Sequence, residues 1–215
     1  MELNKYIEHT LLKQDATKVE IEKLLQEAID YNFLGVCVNP CNVKFAKEFL
    51  KETSVKVVTV IGFPLGQNTA QVKVLETIDA INNGADEIDM VINVGKLKDK
   101  AYDDIVKEIS DVKNSCQGKN LKVILETDLL NQEEIKMACE LCVKGGADFV
   151  KTSTGFVKNG VGAKVEDVKL MHESVKEFCL EVKASGGVRD KDSALKMIEA
   201  GATRIGTSSG VKICS

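Results

Sequence analysis

"GADFVKT" occupies residues 146–152, and its pattern recurs as "GADEIDM" at 84–90 and "GATRIGT" at 201–207. In each case a glycine closes an apolar-periodic helix, an alanine follows, and a short β-rich run begins. Glycine takes the left-handed backbone that ends a helix without a side-chain clash, so the three stretches read as one connection used repeatedly. A chain that reuses a helix-to-strand joint is built from strand–helix units, the pattern of parallel sheets.

Outward from these joints the periodicity keeps switching. Strand-like runs are "YIEHT" (6–10), "GVCVN" (35–39), "VKVVTVIGF" (55–63), "EIDMVIN" (87–93), "KVILET" (122–127), "FVKTS" (149–153), "EVKAS" (181–185) and "RIGTS" (204–208). The first helix starts at Thr17, where Glu20 completes a capping box and Ile21, Leu24, Leu25, Ala28 and Ile29 share one face. Further helices are expected near 42–51, 69–83, 100–115, 131–145, 164–179 and 190–200. No low-complexity linker interrupts them. The expectation is an α/β chain forming one domain over residues 1–215. Its architecture is a single (β/α)8 TIM barrel, parallel strands inside helices, with a short N-terminal segment before strand one. An open doubly wound sheet shares the alternation; eight strands favour closure.

Composition narrows the function classes. Of 215 residues, 44% are hydrophobic and 29% charged, which fits a globular chain. No apolar run has the length of a membrane span, and "MELNKYIEHTLLK" lacks the pattern of a signal peptide. A net charge of −4, with two arginines, gives no basic footprint for nucleic acid. Seven cysteines, odd in number and irregularly spaced, fit reduced thiols in the cytoplasm.

Strand side chains alternate between faces, and the helix-facing side of a barrel is apolar, so parity assigns the interior. Lys151 then points inward between Val150 and Thr152, and Lys183 does so on the next strand. Strand four adds Glu87, Asp89 and Val91, strand five Lys122 and Glu126, and strand two Cys37. An ordinary lysine, with a pKa near ~10.4, is almost wholly protonated at neutral pH. A second ammonium ~5 Å away contributes roughly 3 kcal/mol of repulsion at an effective dielectric of about 20, enough to free a nucleophilic amine for Schiff-base formation. Asp89 would hold the second lysine charged or relay protons. The alternative is a buried ion-pair network with no chemistry, less expected for two lysines and a carboxylate at the strand ends, where barrel active sites lie.

"ASGGVRD" (184–190) and "GTSSG" (206–210) set Gly186, Gly187, Gly206, Ser208 and Ser209 after strands seven and eight. Those loops usually hold phosphate in such barrels, because backbone N–H groups and helix dipoles favour an anion. Thr152, Cys37 and Thr10 join them as candidate substrate contacts, although Cys37 is more readily a small apolar filler.

These motifs resemble the deoxyribose-phosphate aldolase family over essentially the whole chain. "IEHTLL", "GVCVNP", "VIGFPLG", "GADEIDMVIN", "FVKTSTGF", "KASGGVR" and "IGTSSG" carry the resemblance. It implies reversible, metal-independent cleavage of 2-deoxy-D-ribose 5-phosphate to acetaldehyde and D-glyceraldehyde 3-phosphate. It further implies Lys151 as Schiff-base former, Lys183 as its helper, Asp89 as proton relay, and the GGVR and GTSS segments as the phosphate site. Two departures stand out. Glu8 replaces the aspartate common in the opening motif. The chain also stops at Ser215, without the tyrosine-ended tail of some members, so a short or missing eighth helix is expected.

His9 and His172 are the only histidines, too few to suggest a metal site; His172 shares a helix stripe with Val168, Met171 and Val175, and His9 is a candidate for the pocket wall. No dinucleotide fingerprint or Walker motif occurs, so no cofactor is expected. The loops "GFPLG" (62–66) and "GFVKNGVGA" (155–163) are candidates to cover the site. A silent phosphosugar-binding protein and another lysine-dependent barrel aldolase, such as a transaldolase, are the competing functions. Expected partners are a small sugar phosphate and an aldehyde, with neither nucleic acid nor membrane. A homodimer or higher homo-oligomer is left open.

Overall fold

The computed structural model describes residues 2–215. A 3₁₀ turn, Leu3–Tyr6, leads into β1 (Ile7–Leu11), α1 (Lys18–Asp30), β2 (Gly35–Val38) and α2 (Val43–Phe49). Next come β3 (Lys56–Ile61), α3 (Ala70–Asn82), β4 (Glu87–Val91), the single-turn α4 (Val94–Lys98) and α5 (Tyr102–Ser115). The second half holds β5 (Asn120–Ile124), α6 (Gln132–Gly145), β6 (Phe149–Lys151), α7 (Val165–Val175), β7 (Glu181–Ser185), α8 (Lys191–Glu199), β8 (Arg204–Thr207) and α9 (Gly210–Cys214). The eight strands run parallel and close in sequence order, β8 pairing with β1, which decides for the barrel over the open sheet. Among the described residues no helix is long and apolar enough to cross a membrane.

The repeated joint has a common physical basis. Ala85, Ala147 and Ala202 each donate their N–H back into the last helical turn, to the carbonyls of Ala80, Cys142 and Met197, all at 3.0 Å. Gly84, Gly146 and Gly201 make this possible with φ of 102°, 77° and 111°. The aspartates of the two GAD stretches then tie down the preceding strand. Asp86 accepts the Val57 N–H at 2.9 Å and Asp148 that of Leu121 at 2.7 Å. A fourth copy of the joint lies between α1 and β2, where Asn32 (φ 51°) replaces glycine and Phe33 N–H donates to Ala28 O at 3.0 Å.

Two stretches differ most from the sequence expectation. β5 stops at Ile124 rather than 127, because Glu126 takes a left-handed backbone, φ 60°. The turn α4, whose Lys96 N–H is accepted by the Asn93 side chain at 3.0 Å, is too short to show periodicity. After β8 the helix α9 has only five residues, the short element anticipated there.

Outward side chains such as Val36, Ile88, Met90, Val123, Val150, Val182 and Ile205 join the helices in one large apolar cluster. Inside, the barrel is divided. Leu12, Cys37, Val58 and Val60 form an apolar patch on the β2–β3 side. Glu8, Glu87, Asp89, Lys122, Lys151 and Lys183, all buried, fill the remainder. Beneath them the Phe149 ring offers its π-face to Lys122 (5.7 Å) and Arg204 (5.3 Å), a favourable setting for buried cations.

Candidate active site

Strand register decides which charges meet. Lys151 and Lys183 are direct partners across β6 and β7, and Asp89 is the partner of Lys122 across β4 and β5. Both Lys151 Nζ and Lys183 Nζ donate to the same oxygen, Asp89 Oδ2, at 2.8 and 2.7 Å. Lys183 also donates to Glu8 Oε2. Lys122 Nζ reaches Glu87 at 2.5 Å, Asp89 Oδ1 at 3.1 Å and Glu8 at 3.5 Å. Parity thus placed Lys151, Lys183, Asp89, Lys122 and Glu87 correctly, and the structure gathers them around one carboxylate.

Burial alone would neutralise these groups, but their mutual charges prevail. Burial opposes ionisation of Asp89, yet the ammonium groups of Lys122, Lys151 and Lys183 hold its carboxyl well below the usual range. Burial likewise opposes ionisation of Glu87, and Lys122 with Lys56 still brings it to about 2. Lys183 is pushed the other way: burial works against its charge, but Asp89 and Glu8 raise its pKa and fix it as a cation. Lys122 is also raised, burial being overcome by Asp89 and Glu8. The bare repulsion between two amines expected from sequence is therefore incomplete, since Asp89 stands between them.

Access separates the three lysines. A cavity of about 740 Å³ opens at the C-terminal end of the barrel, and of the three only Lys151 lines it. Thr10, Gly186, Gly187, Gly206 and Ser208 line the same cavity, which brings the lysine and the expected phosphate loops together. Gly206 has a packing reason to lack a side chain: a Cβ there would come within 3.0 Å of Lys183 Cε. Gly187 faces the loop after β6 so closely that a Cβ would meet Val161 O at 2.4 Å. "GFVKNGVGA" accordingly packs on the phosphate loop, and Asp128 holds it there through the N–H groups of Val161 (3.2 Å) and Gly162 (2.8 Å).

Other expected residues lie elsewhere. Thr152 is fully buried between β6 and β7, its hydroxyl donating to Ser185 O (2.9 Å) and accepting from Ser185 N–H (3.0 Å), so it serves the sheet rather than the cavity. Cys37 is buried in the apolar interior patch, where burial raises its thiol pKa and keeps it a filler. Ser209 lies one residue beyond the cavity wall, its N–H bonded to the Thr207 hydroxyl at 2.9 Å. Glu8 points beneath Lys183, away from the cavity. Glu126 leaves the barrel interior to clasp the segment after Lys151, accepting the Thr154 N–H at 3.1 Å and the Thr154 hydroxyl. His9 faces α1, bonded to Glu27 at 2.8 Å.

Three cavity residues were not named individually as contacts from the sequence, although Arg189 falls in the GGVR segment expected at the phosphate and Ser153 on the inward face of β6. Arg189 and Lys13 bring cations to the phosphate end. One arginine in a motif already read for its glycines, and one lysine among 27, had no pattern to mark them. Ser153 is buried beside the cavity, and its hydroxyl has no partner among the described residues. It shares the parity of Lys151, which was the signal available.

The family model described as DeoC/LacD family aldolase matches residues 4–215. A curated protein of Finegoldia magna named deoxyribose-phosphate aldolase is 58% identical over 213 residues, covering 99% of each chain. A solved chain from Coccidioides immitis superposes with a TM-score of 0.96 at 44% identity, covering 99% of this chain and 84% of that one. The Aeropyrum pernix deoxyribose phosphate aldolase, described as tetrameric, gives 0.91 at 33% identity over 99% and 89%. With a family model spanning nearly every residue and a curated relative well above half identical, this chain belongs to the DeoC/LacD aldolase family.

Proposed function

We propose that this chain is a class I aldolase that reversibly cleaves 2-deoxy-D-ribose 5-phosphate to acetaldehyde and D-glyceraldehyde 3-phosphate. The substrate follows from the names of its relatives, and the chemistry from one observation: of three buried lysines sharing three carboxylates, only Lys151 reaches the cavity. Arg204 Nε, 3.8 Å from Glu8, and Lys56, 2.6 Å from Glu87, add further positive charge at the margin. Lys151 is thus the surplus cation, and it can lose a proton without stranding a buried carboxylate.

In the cleavage direction, neutral Lys151 Nζ adds to C1 of the open-chain sugar. The carbinolamine loses water to give an iminium. Loss of the C3 hydroxyl proton then breaks the C2–C3 bond, and its electron pair passes to the iminium as an enamine. D-Glyceraldehyde 3-phosphate leaves. Protonation at C2 and addition of water release acetaldehyde and the free amine. Asp89, touching both Lys151 and Lys183, is placed to pass protons at the carbinolamine and enamine stages. Lys183 stays charged and holds Asp89 in position. Gly186, Gly187, Gly206, Ser208 and Arg189 take the phosphate, with Ser209 behind them.

The proposed setting is the cytoplasm, where the chain's free cysteines remain reduced. A homo-oligomer is part of the proposal, in line with the tetrameric Aeropyrum pernix relative. The test is acetaldehyde release from 2-deoxyribose 5-phosphate, followed through coupled aldehyde reduction. Turnover is expected, with a higher KM for unphosphorylated deoxyribose and for Arg189→Ala. No release of acetaldehyde would overturn the proposal in favour of a silent phosphosugar binder.

A further inference from the structure

The N-terminal end of the barrel, opposite the cavity, carries its own set of polar side chains. Lys56, Glu87, Asn120, Phe149, Glu181 and Arg204 each begin a strand there. The two cations among them are held very differently. Lys56 Nζ lies 2.6 Å from Glu87, a tight pair. The Arg204 guanidinium is held loosely: its Nε stands 3.8 Å from Glu8 Oε1, its Nη1 lies 4.0 Å from Glu181, and its face rests on the Phe149 ring. Arg204 Nε and Glu8 Oε1 are both buried with no hydrogen-bond partner among the described residues. A guanidinium keeps its proton in proteins, so this charge is permanent and incompletely compensated.

From Arg204 the charges run unbroken to the reacting end. Strand register sets Arg204 beside Lys183 and Lys183 beside Lys151. Glu8 accepts from Lys183, and Lys183 and Lys151 share Asp89 Oδ2. Glu8, Asp89 and Lys183 are fully buried, so solvent and salt screen this line weakly. Among the described residues, five cations in this network, Lys56, Lys122, Lys151, Lys183 and Arg204, face the carboxylates of Glu8, Glu87 and Asp89. The other titratable groups add little: burial keeps the Cys37 thiol on β2 neutral, Glu126 beyond β5 is engaged by Thr154, and the Glu181 side chain on β7 is 46% exposed. Remove the Arg204 charge, and the carboxylates call on the Lys151 ammonium instead.

We propose that Arg204 is a positioning residue for the aldolase reaction, acting from the far end of the barrel. Its fixed charge compensates Glu8 and thereby leaves Lys151 as the cation that can give up its proton, while Glu181 at the rim moderates the effect. This rests on the reading of Lys151 as the reacting amine. A unit charge about 10 Å away, at an effective dielectric of about 20, displaces a proton equilibrium by about one pH unit.

The experiment is competitive acetylation of amines between about pH 6 and about pH 11, scored at the Lys151 peptide, together with the acid limb of kcat/KM for acetaldehyde release. Arg204→Met should raise the midpoint of Lys151 labelling by about one pH unit and carry the acid limb with it. Arg204→Lys keeps the charge and should restore most of the parent value. Glu181→Lys, being half-exposed and partly screened, should lower both by about half a unit. General damage to the barrel does not produce that opposite sign, so this variant decides the matter even if Arg204→Met fails to fold. A midpoint in Glu181→Lys that stays at the parent value or rises overturns the proposal, as does an Arg204→Lys profile no different from that of Arg204→Met. Labelling shifts of the expected signs with no acetaldehyde release by the parent would leave the charge coupling standing and overturn the aldolase reading instead.

Discussion

Lys183 is the residue on which the buried charges depend. Fully enclosed, it serves Glu8 and Asp89 together. Replacing it by methionine keeps most of the volume but leaves two carboxylates short of a cation. Breaking a buried pair from one side costs about 3–5 kcal/mol. Lys183→Met is expected to lose stability of that order in urea denaturation and to lower kcat at least a hundredfold. A variant of near-native stability would show that the network is not needed for folding. At this scale the sequence was informative because strand parity is strict: Lys151, Lys183 and Asp89 share a face, and the structure joins them at one oxygen. Parity could not reveal the partners. That Glu8 reaches across from β1 to Lys183 depends on barrel closure, and Thr152, named as a contact, sits on the opposite face from Lys151 by the same rule.

The helix-to-strand joint is the element most legible in the sequence, and its glycines can be tested separately. Gly146 has φ 77°, and a Cβ there would meet nothing within 4 Å. Gly146→Ala should cost only the left-handed backbone term, roughly 1 kcal/mol. Gly201 has φ 111°, and its Cβ would lie 2.4 Å from His172 Cγ. Gly201→Ala should therefore lose at least twice as much stability, read from paired thermal or denaturant unfolding. Equal losses would mean that packing against α7 contributes nothing. The fourth joint went unread because Asn32 replaces the glycine, an exchange the left-handed region tolerates. The end of β5 was overrun because "ET" continues a strand-like pattern, and only tertiary contact with Thr154 turns Glu126 out of line.

For the whole molecule, the closed barrel stores three carboxylates against an excess of cations, and this sets its response to acid. Glu87 is lowered to about 2 from the usual 4.5, because Lys122 and Lys56 outweigh its burial. A folded-state pKa below the unfolded one means stability that is complete above pH ~4.5 and is lost as pH falls toward 2, on the order of 3 kcal/mol for this group. Asp89 is lowered in the same sense. Glu87→Gln should therefore be less stable at pH 7, yet lose less than the parent between pH 4.5 and 2; parallel curves would contradict this assignment of charge. The same excess of cations is what leaves Lys151 free to be the reacting amine. The direct measurement is borohydride reduction in the presence of 2-deoxyribose 5-phosphate, followed by peptide mapping. Adducts on Lys151 alone, carrying either two carbons or the whole reduced sugar phosphate, with Lys122 and Lys183 unmodified, are the expected result. An adduct on Lys183, or none on any of the three, would contradict it.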